Sequence, residues 1–128
     1  REPVFWYAKW TGSEWKKTRI VAAGRQRRQR YITGGGTLDH DDPSTVYLSR
    51  AVDGISQVEV WHTEDDGRTW ASGAVTSGSV PSFRPVSPRG LTESPFVFYL
   101  SGRYRGWLSY ERVRVRLTDR APFYAPVP

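Results

Sequence analysis

The sequence predicts an all-β chain of repeated antiparallel sheets, and three observations predict it. A string of residues returns after a fixed interval. Short apolar alternations are separated by turn residues, with no sustained helical period. Nine prolines are scattered through 128 residues, and proline is poorly tolerated inside helices.

The repeat carries most weight. Pro43-Ser44-Thr45-Val46-Tyr47-Leu48-Ser49 returns as Pro95-Phe96-Val97-Phe98-Tyr99-Leu100-Ser101, keeping Pro, Tyr, Leu and Ser at an offset of 52. Gly54 and Gly106 share that offset. Upstream, the pair Trp10 and Trp15 answers the pair Trp61 and Trp70, whose intervening turn is longer. Ile20 and Val75 follow the second Trp of each pair at equal distance. A period of roughly fifty residues made of short strands has the size of one four-stranded β-propeller blade.

The elements follow in order. Strands at 4–9 and 15–21 form an outer hairpin around the turn Thr11-Gly12-Ser13. Strands at 31–38, 46–51, 57–62 and 69–76 make one blade. Within it Val58, Val60 and His62 alternate with Gln57, Glu59 and Trp61, and the turns are Val52-Asp53-Gly54 and Asp65-Asp66-Gly67. Strands at 83–87, 96–101, 103–110 and 112–117 make a second. The division is therefore 1–24 as the outer hairpin of a preceding blade, 31–77 as a full blade, 82–117 as a closing blade and 118–128 as a Pro-rich tail. A closed ring takes about four blades or more. Two blades and a hairpin make an incomplete ring with open edges and an uncovered flank, which invite further association. The remaining blades are expected from another chain, a cleaved N-terminal part or self-association.

The chain carries a net charge of +6, with 38% hydrophobic and 14% aromatic residues, enough apolar area for a packed core. No apolar run approaches the ~18 residues of a membrane span, so no membrane partner is expected. The absence of cysteine excludes disulfides and thiolate metal sites. The chain opens on Arg1 without Met, as expected of a mature or trimmed product. Basic proteins meet polyanions. The run Arg25, Arg27, Arg28, Arg30 is short and lacks interleaved aromatics, which makes nucleic acid an unlikely partner.

Thr63-x-Asp65-x-Gly67-x-Thr69-Trp70 is the clearest motif. Asp65 can accept hydrogen bonds from the N–H groups of its own turn. Gly67 can take positive φ. Thr69 and Trp70 lead into the next strand with the indole beneath the turn. The pattern resembles the Asp-box of sialidase-like BNR propellers, in which it is a structural staple away from the active face.

A second resemblance runs through Gly34-Gly35-Gly36-Thr37-Leu38-Asp39-His40-Asp41-Asp42-Pro43, Val46-Tyr47-Leu48-Ser49-Arg50, Arg84-Pro85-Val86, Pro88-Arg89-Gly90 and Gly102-Arg103-Tyr104 to Tyr110. These strings are similar to the C-terminal part of BNR-repeat propeller enzymes of the ulvan lyase and α-L-rhamnosidase type. The resemblance implies a secreted enzyme, extracellular or periplasmic, acting on a polysaccharide as hydrolase or lyase. It also implies that this chain is the C-terminal portion, with the catalytic residues mainly in blades outside it.

Asp39-His40-Asp41-Asp42 is the richest chemical cluster. His40 is the candidate catalytic residue, as general acid/base with a carboxylate fixing its tautomer. The alternative is a loop in which the carboxylates cap local backbone. No cofactor is expected, and a structural divalent cation such as calcium is compatible with the carboxylates. His62, between Trp61 and the Asp-box, reads as a packing residue. Arg50, Arg84, Arg89 and Arg103 suit an acidic, uronate-containing glycan, because guanidinium binds carboxylate bidentately. Tyr104 offers a ring to stack on sugar. The competing role for these arginines is ion pairing between blades. A non-catalytic, lectin-like propeller module assembled by oligomerisation is the alternative function.

Overall fold

A computed structural model describes residues 2–25, 35–90, 96–106 and 109–119. Their regular structure is entirely β, in three antiparallel meanders, none closed into a barrel. The first sheet is a hairpin of β1 (Val4–Trp10) and β2 (Trp15–Ala22). The second has four strands in chain order: β3 (Gly36–Leu38), β4 (Thr45–Val52), β5 (Ile55–His62) and β6 (Ala71–Ala74). The third has β7 (Ser82–Val86), β8 (Phe96–Gly106) and β9 (Ser109–Asp119).

The second sheet is the centre of the stack, and alternation explains why. Successive side chains of a strand point to opposite faces. Val46 and Leu48 on β4, with Trp61 on β5, form a buried cluster against Phe5, Tyr7, Ile20 and Val21 of the first sheet. Tyr47 and Val60 emerge on the other face and pack on Val97 of the third sheet. Two-sided burial makes β4 almost continuously buried from Thr45 to Ala51. The β4–β5 turn is closed by Asp53 at φ 52 and Gly54 at φ 81, the paired positive angles of a tight two-residue hairpin loop.

The backbone after β2 also meets the second sheet closely. The Ala51 N–H donates to the Ala23 carbonyl at 2.8 Å. Gly24 follows at φ 76, where an added Cβ would fall 2.3 Å from the Ala51 carbonyl oxygen, so only glycine fits. The result is an all-β, incomplete propeller-like fold.

The third sheet differs from its expected form. Turns were expected near Gly102 and Glu111, giving four strands. Instead β8 runs straight through Gly102, and the β8–β9 connection falls at 107–108, outside the described residues. Gly102 is absorbed because its N–H bonds the Pro81 carbonyl at 3.0 Å, and the ladder accommodates it by a register shift between Ser101 and Arg103. Among the described residues the sheet therefore has three strands.

Strand order does repeat, since β4 and β8 are each the second strand of a meander. Facing does not: Tyr47 points to the third sheet, and its counterpart Tyr99 packs at the edge of the same cluster. A side-chain period of two lets one residue of offset exchange faces, so a repeated string need not present a repeated face. The strand expected at 31–38 is seen from Gly36, and residues 31–34, like 120–128 of the expected tail, lie outside the described residues.

Candidate functional site

The Thr63–Trp70 turn, whose pattern resembles an Asp-box, links β5 to β6, and its bonds follow from its residue types. The Thr63 hydroxyl donates to Asp65 Oδ1 at 2.9 Å and accepts from the Gly67 N–H at 2.8 Å. Asp65 Oδ1 accepts from the Thr69 N–H at 2.8 Å, and Oδ2 from the Thr69 hydroxyl at 2.7 Å. These bonds, the Thr69 N–H foremost, hold the Asp65 carboxyl down at about 2. Asp66 at φ 59 and Gly67 at φ 84 turn the chain back. Trp70 Nε1–H closes the loop on the Gly67 carbonyl at 3.1 Å. Thr69 and Trp70 thus belong to the turn, and β6 begins at Ala71 and not at 69 as expected.

The box also clamps the neighbouring sheet. Tyr7 meets Trp70 edge-on, with centroids 5.3 Å apart. Lys9 pairs with Asp66, which raises the ammonium pKa and lowers that of the carboxyl. This is a device for joining sheets.

The Asp39–Asp42 segment folds as a capped loop. Asp39 is buried, and its Oδ1 accepts from the N–H groups of Asp41 at 3.0 Å and Asp42 at 3.3 Å. Asp42 Oδ1 accepts from the Ser44 N–H at 3.1 Å. His40 is exposed, and no hydrogen bond or ion pair of the described residues fixes its ring. Among the described residues no group of three His, Cys, Asp or Glu side chains is gathered as a cation would require.

Sequence reasoning missed the residue that this loop does hold. Thr45 pairs with His62 across the β4–β5 ladder. The Thr45 hydroxyl donates to Asp42 Oδ2 at 2.6 Å, and lies 2.8 Å from His62 Nδ1. A hydroxyl has one proton, so Thr45 accepts from His62 Nδ1–H, with Asp42 Oδ2 only 3.6 Å from that nitrogen. His62 is therefore a hydrogen-bonded residue at the loop's base. The cross-strand register is what brings it there, and no local motif signals it.

The arginines occupy four settings. Arg50 Nε donates to Glu59 Oε2 at 2.5 Å, and Trp61 Nε1–H donates to the same oxygen at 3.0 Å. Arg50 thus sits in an ion pair within one sheet, a partner not foreseen for it. Arg84 lies on β7 with an exposed side chain and makes no ion pair among the described residues. Its φ is 53, in the left-handed region that a residue with a Cβ adopts at a cost. The β7 register breaks there, between Phe83 and Val86. Gly35 lies close by, since a Cβ built on it would come 3.7 Å from Arg84 Cα. Arg89 is exposed in the bend after β7, and Arg103 is exposed on β8. Tyr104 pairs with Tyr110 in the β8–β9 ladder, and its side chain lies outside the described set.

The class defined by these sheets is an all-β, incomplete propeller-like fold. No protein-family model, curated protein or solved structure matches the chain.

Proposed function

We propose that this chain is the C-terminal portion of a secreted, polysaccharide-active β-propeller enzyme, a glycoside hydrolase or polysaccharide lyase acting on an acidic, uronate-containing glycan. Arg84 carries the reading. Its guanidinium is exposed, unpaired with any described carboxylate, and mounted on a backbone angle that disfavours any residue but glycine. Strain kept at a residue with a charged, available side chain suits a residue held for binding. The guanidinium would take the uronate carboxylate in a bidentate pair. In a lyase that pairing neutralises the carboxylate while a base takes the neighbouring proton, and the electron pair left behind becomes a C=C bond as the glycosidic oxygen on the next carbon departs. The net charge of +6 draws an acidic polymer to the surface. His40 is the candidate base within this chain, and the remaining catalytic groups are assigned to blades outside it.

Calorimetric titration with a polyuronate tests the reading. Binding that weakens about tenfold in Arg84→Ala, the scale of one lost charge-assisted pair, is the expected result. Equal binding by both chains would overturn it. Release of an unsaturated product, followed by ultraviolet absorbance, distinguishes lyase from hydrolase when the remaining blades are supplied.

The lectin-like alternative draws on Trp6, Trp10 and Trp15, whose rings are exposed on the first sheet and could stack on sugar. Saturable glycan binding by an assembled form, insensitive to Arg84→Ala, would favour it.

A further inference from the structure

We infer that Gly35 is a specificity-determining residue: its bare backbone is the floor on which a uronate ring of the acidic glycan lies while Arg84 holds that ring's carboxylate. The inference deepens the reading of Arg84 and rests on it.

The first observation is a glycine that the fold does not require. Glycine is kept where φ is positive or where a Cβ would collide. Gly36 is kept for the second reason, since a Cβ there would fall 2.8 Å from Leu48 Cδ2. Gly35 has neither reason. Its φ lies outside the left-handed region. A Cβ built on it would come nearest to Arg84 Cα, at an ordinary 3.7 Å, and beyond its chain neighbours no other described residue would approach within 4 Å. Glycine also loses more chain freedom on folding than alanine would. A glycine that packing leaves unexplained marks a place where a ligand comes close to the backbone.

The second observation is what stands beside that place. Gly35 leads into β3, the end strand of the second sheet, and Arg84 lies on β7, the end strand of the third. The two strands lie against each other. A side chain on Gly35 would therefore grow toward Arg84, whose own side chain is exposed and makes no ion pair among the described residues. Open space above a bare backbone thus adjoins an available guanidinium.

The third is a polar edge at the same point. The Ser49 N–H donates to the Gly35 carbonyl at 2.8 Å, and the Asp39 N–H donates to the Thr45 carbonyl at 2.9 Å. Bonding in an antiparallel ladder alternates. Gly36, between them, therefore turns its N–H and carbonyl to the side of β3 that no described strand bonds. A sugar ring carries hydroxyls that both donate and accept, so a backbone donor and acceptor with no side chain over them suit it. Arg84 reads the charge, and Gly35 reads the shape of the ring that bears it.

Calorimetric titration of the whole chain with a polyuronate, at low and at high salt, tests this. Gly35→Ala and Gly35→Ser are compared with the parent and with Arg84→Ala. Both glycine variants should melt as the parent does, because the added atoms find room. Both should bind about tenfold more weakly, because those atoms occupy the place of the ring. Salt separates the two roles, since screening acts on charge and not on shape. The glycine variants should keep the salt dependence of the parent, and Arg84→Ala should lose part of it. Parental binding by both glycine variants, beside weakened binding by Arg84→Ala, would overturn this inference and leave the reading of Arg84 standing. So would a melting temperature that falls along with affinity, which would make Gly35 a packing residue. A flattened salt dependence in Gly35→Ala would overturn it too, because the substitution would then have acted by moving the guanidinium. Parental binding by Arg84→Ala would overturn both readings.

Discussion

Gly67→Ala tests the junction between the Asp-box and the first sheet. Gly67 has φ 84, and a Cβ there would lie 2.5 Å from Thr18 Oγ1 and 3.1 Å from Tyr7 Cδ1. Two costs are separable. The left-handed angle costs a residue with a Cβ about 1–2 kcal/mol. Overpacking against a neighbouring sheet adds about 1–3 kcal/mol. The single substitution should therefore destabilise by about 2–5 kcal/mol, read as a lower urea midpoint with an unchanged slope. Thr18 is the informative partner. Its Oγ1 is buried and finds no hydrogen-bond partner among the described residues, so Thr18→Ala loses chiefly a methyl, about 1 kcal/mol. In that background the nearest clash is gone and Gly67→Ala should cost only about 1–2 kcal/mol, the backbone term. A double-mutant cycle should thus show a favourable coupling above about 1 kcal/mol. Additive effects, within about 0.5 kcal/mol, would refute the claim that the Asp-box turn touches β2.

Three further outcomes are expected. Arg84→Gly should raise stability by about 1 kcal/mol, by relieving the positive φ, while weakening polyuronate binding; a chain that loses stability would remove the argument from strain. The Asp65 carboxyl is lowered from 3.8 to about 2 by its hydrogen bonds, so its contribution is complete above the unfolded value and is lost as pH falls toward 2. Urea midpoints measured across that window should fall more steeply for the parent than for Asp65→Asn, and parallel curves would contradict the assignment. Arg50→Met alone should destabilise by about 1–3 kcal/mol, because among the described residues it leaves the Glu59 carboxylate, 13% exposed, with only the Trp61 N–H. Arg50→Met with Glu59→Gln should recover most of that, and if it does not, the ion pair is not what holds Arg50.

The fold was legible in the sequence because its signals are local. Period-two alternation at 57–62 marks β5, and Asp53-Gly54 marks the turn before it. Two features of the Thr63–Trp70 turn were legible because they are local, namely Asp65 accepting from a backbone N–H of its own turn and Gly67 at positive φ. What could not be read depends on distant pairing. Gly102 looks like a turn residue until Pro81 offers its N–H a carbonyl within the sheet. Arg50 looks available until register sets Glu59 on the same face. His62 looks like packing until Thr45 arrives opposite it, and the strain at Arg84 has no sequence signature, since arginine is ordinary in a strand.

At each interface of the central sheet, stability and register come from different contacts. Apolar contacts such as Tyr47 on Val60 and Val97 supply burial but tolerate sliding, since a strand shifted by two residues presents the same kind of face. Hydrogen bonds do not tolerate it. At the third sheet the buried hydroxyls of Ser49 and Ser56 lie 3.0 Å apart, and Ser56 donates to the Ser82 carbonyl at 2.9 Å. Gln57 binds the segment beyond β6 at both ends of its amide, accepting from the Thr76 hydroxyl at 2.7 Å and donating to the Gly78 carbonyl at 2.8 Å. Sliding would strand these groups without partners, at roughly 1–3 kcal/mol each, which exceeds what an apolar face gains or loses by the move. At the first sheet the same task falls to the Asp-box, through Lys9 on Asp66 and Tyr7 on Trp70. The position of Arg84 follows from this polar registration, because Ser82, two residues before it, is the point at which β7 is pinned to the central sheet.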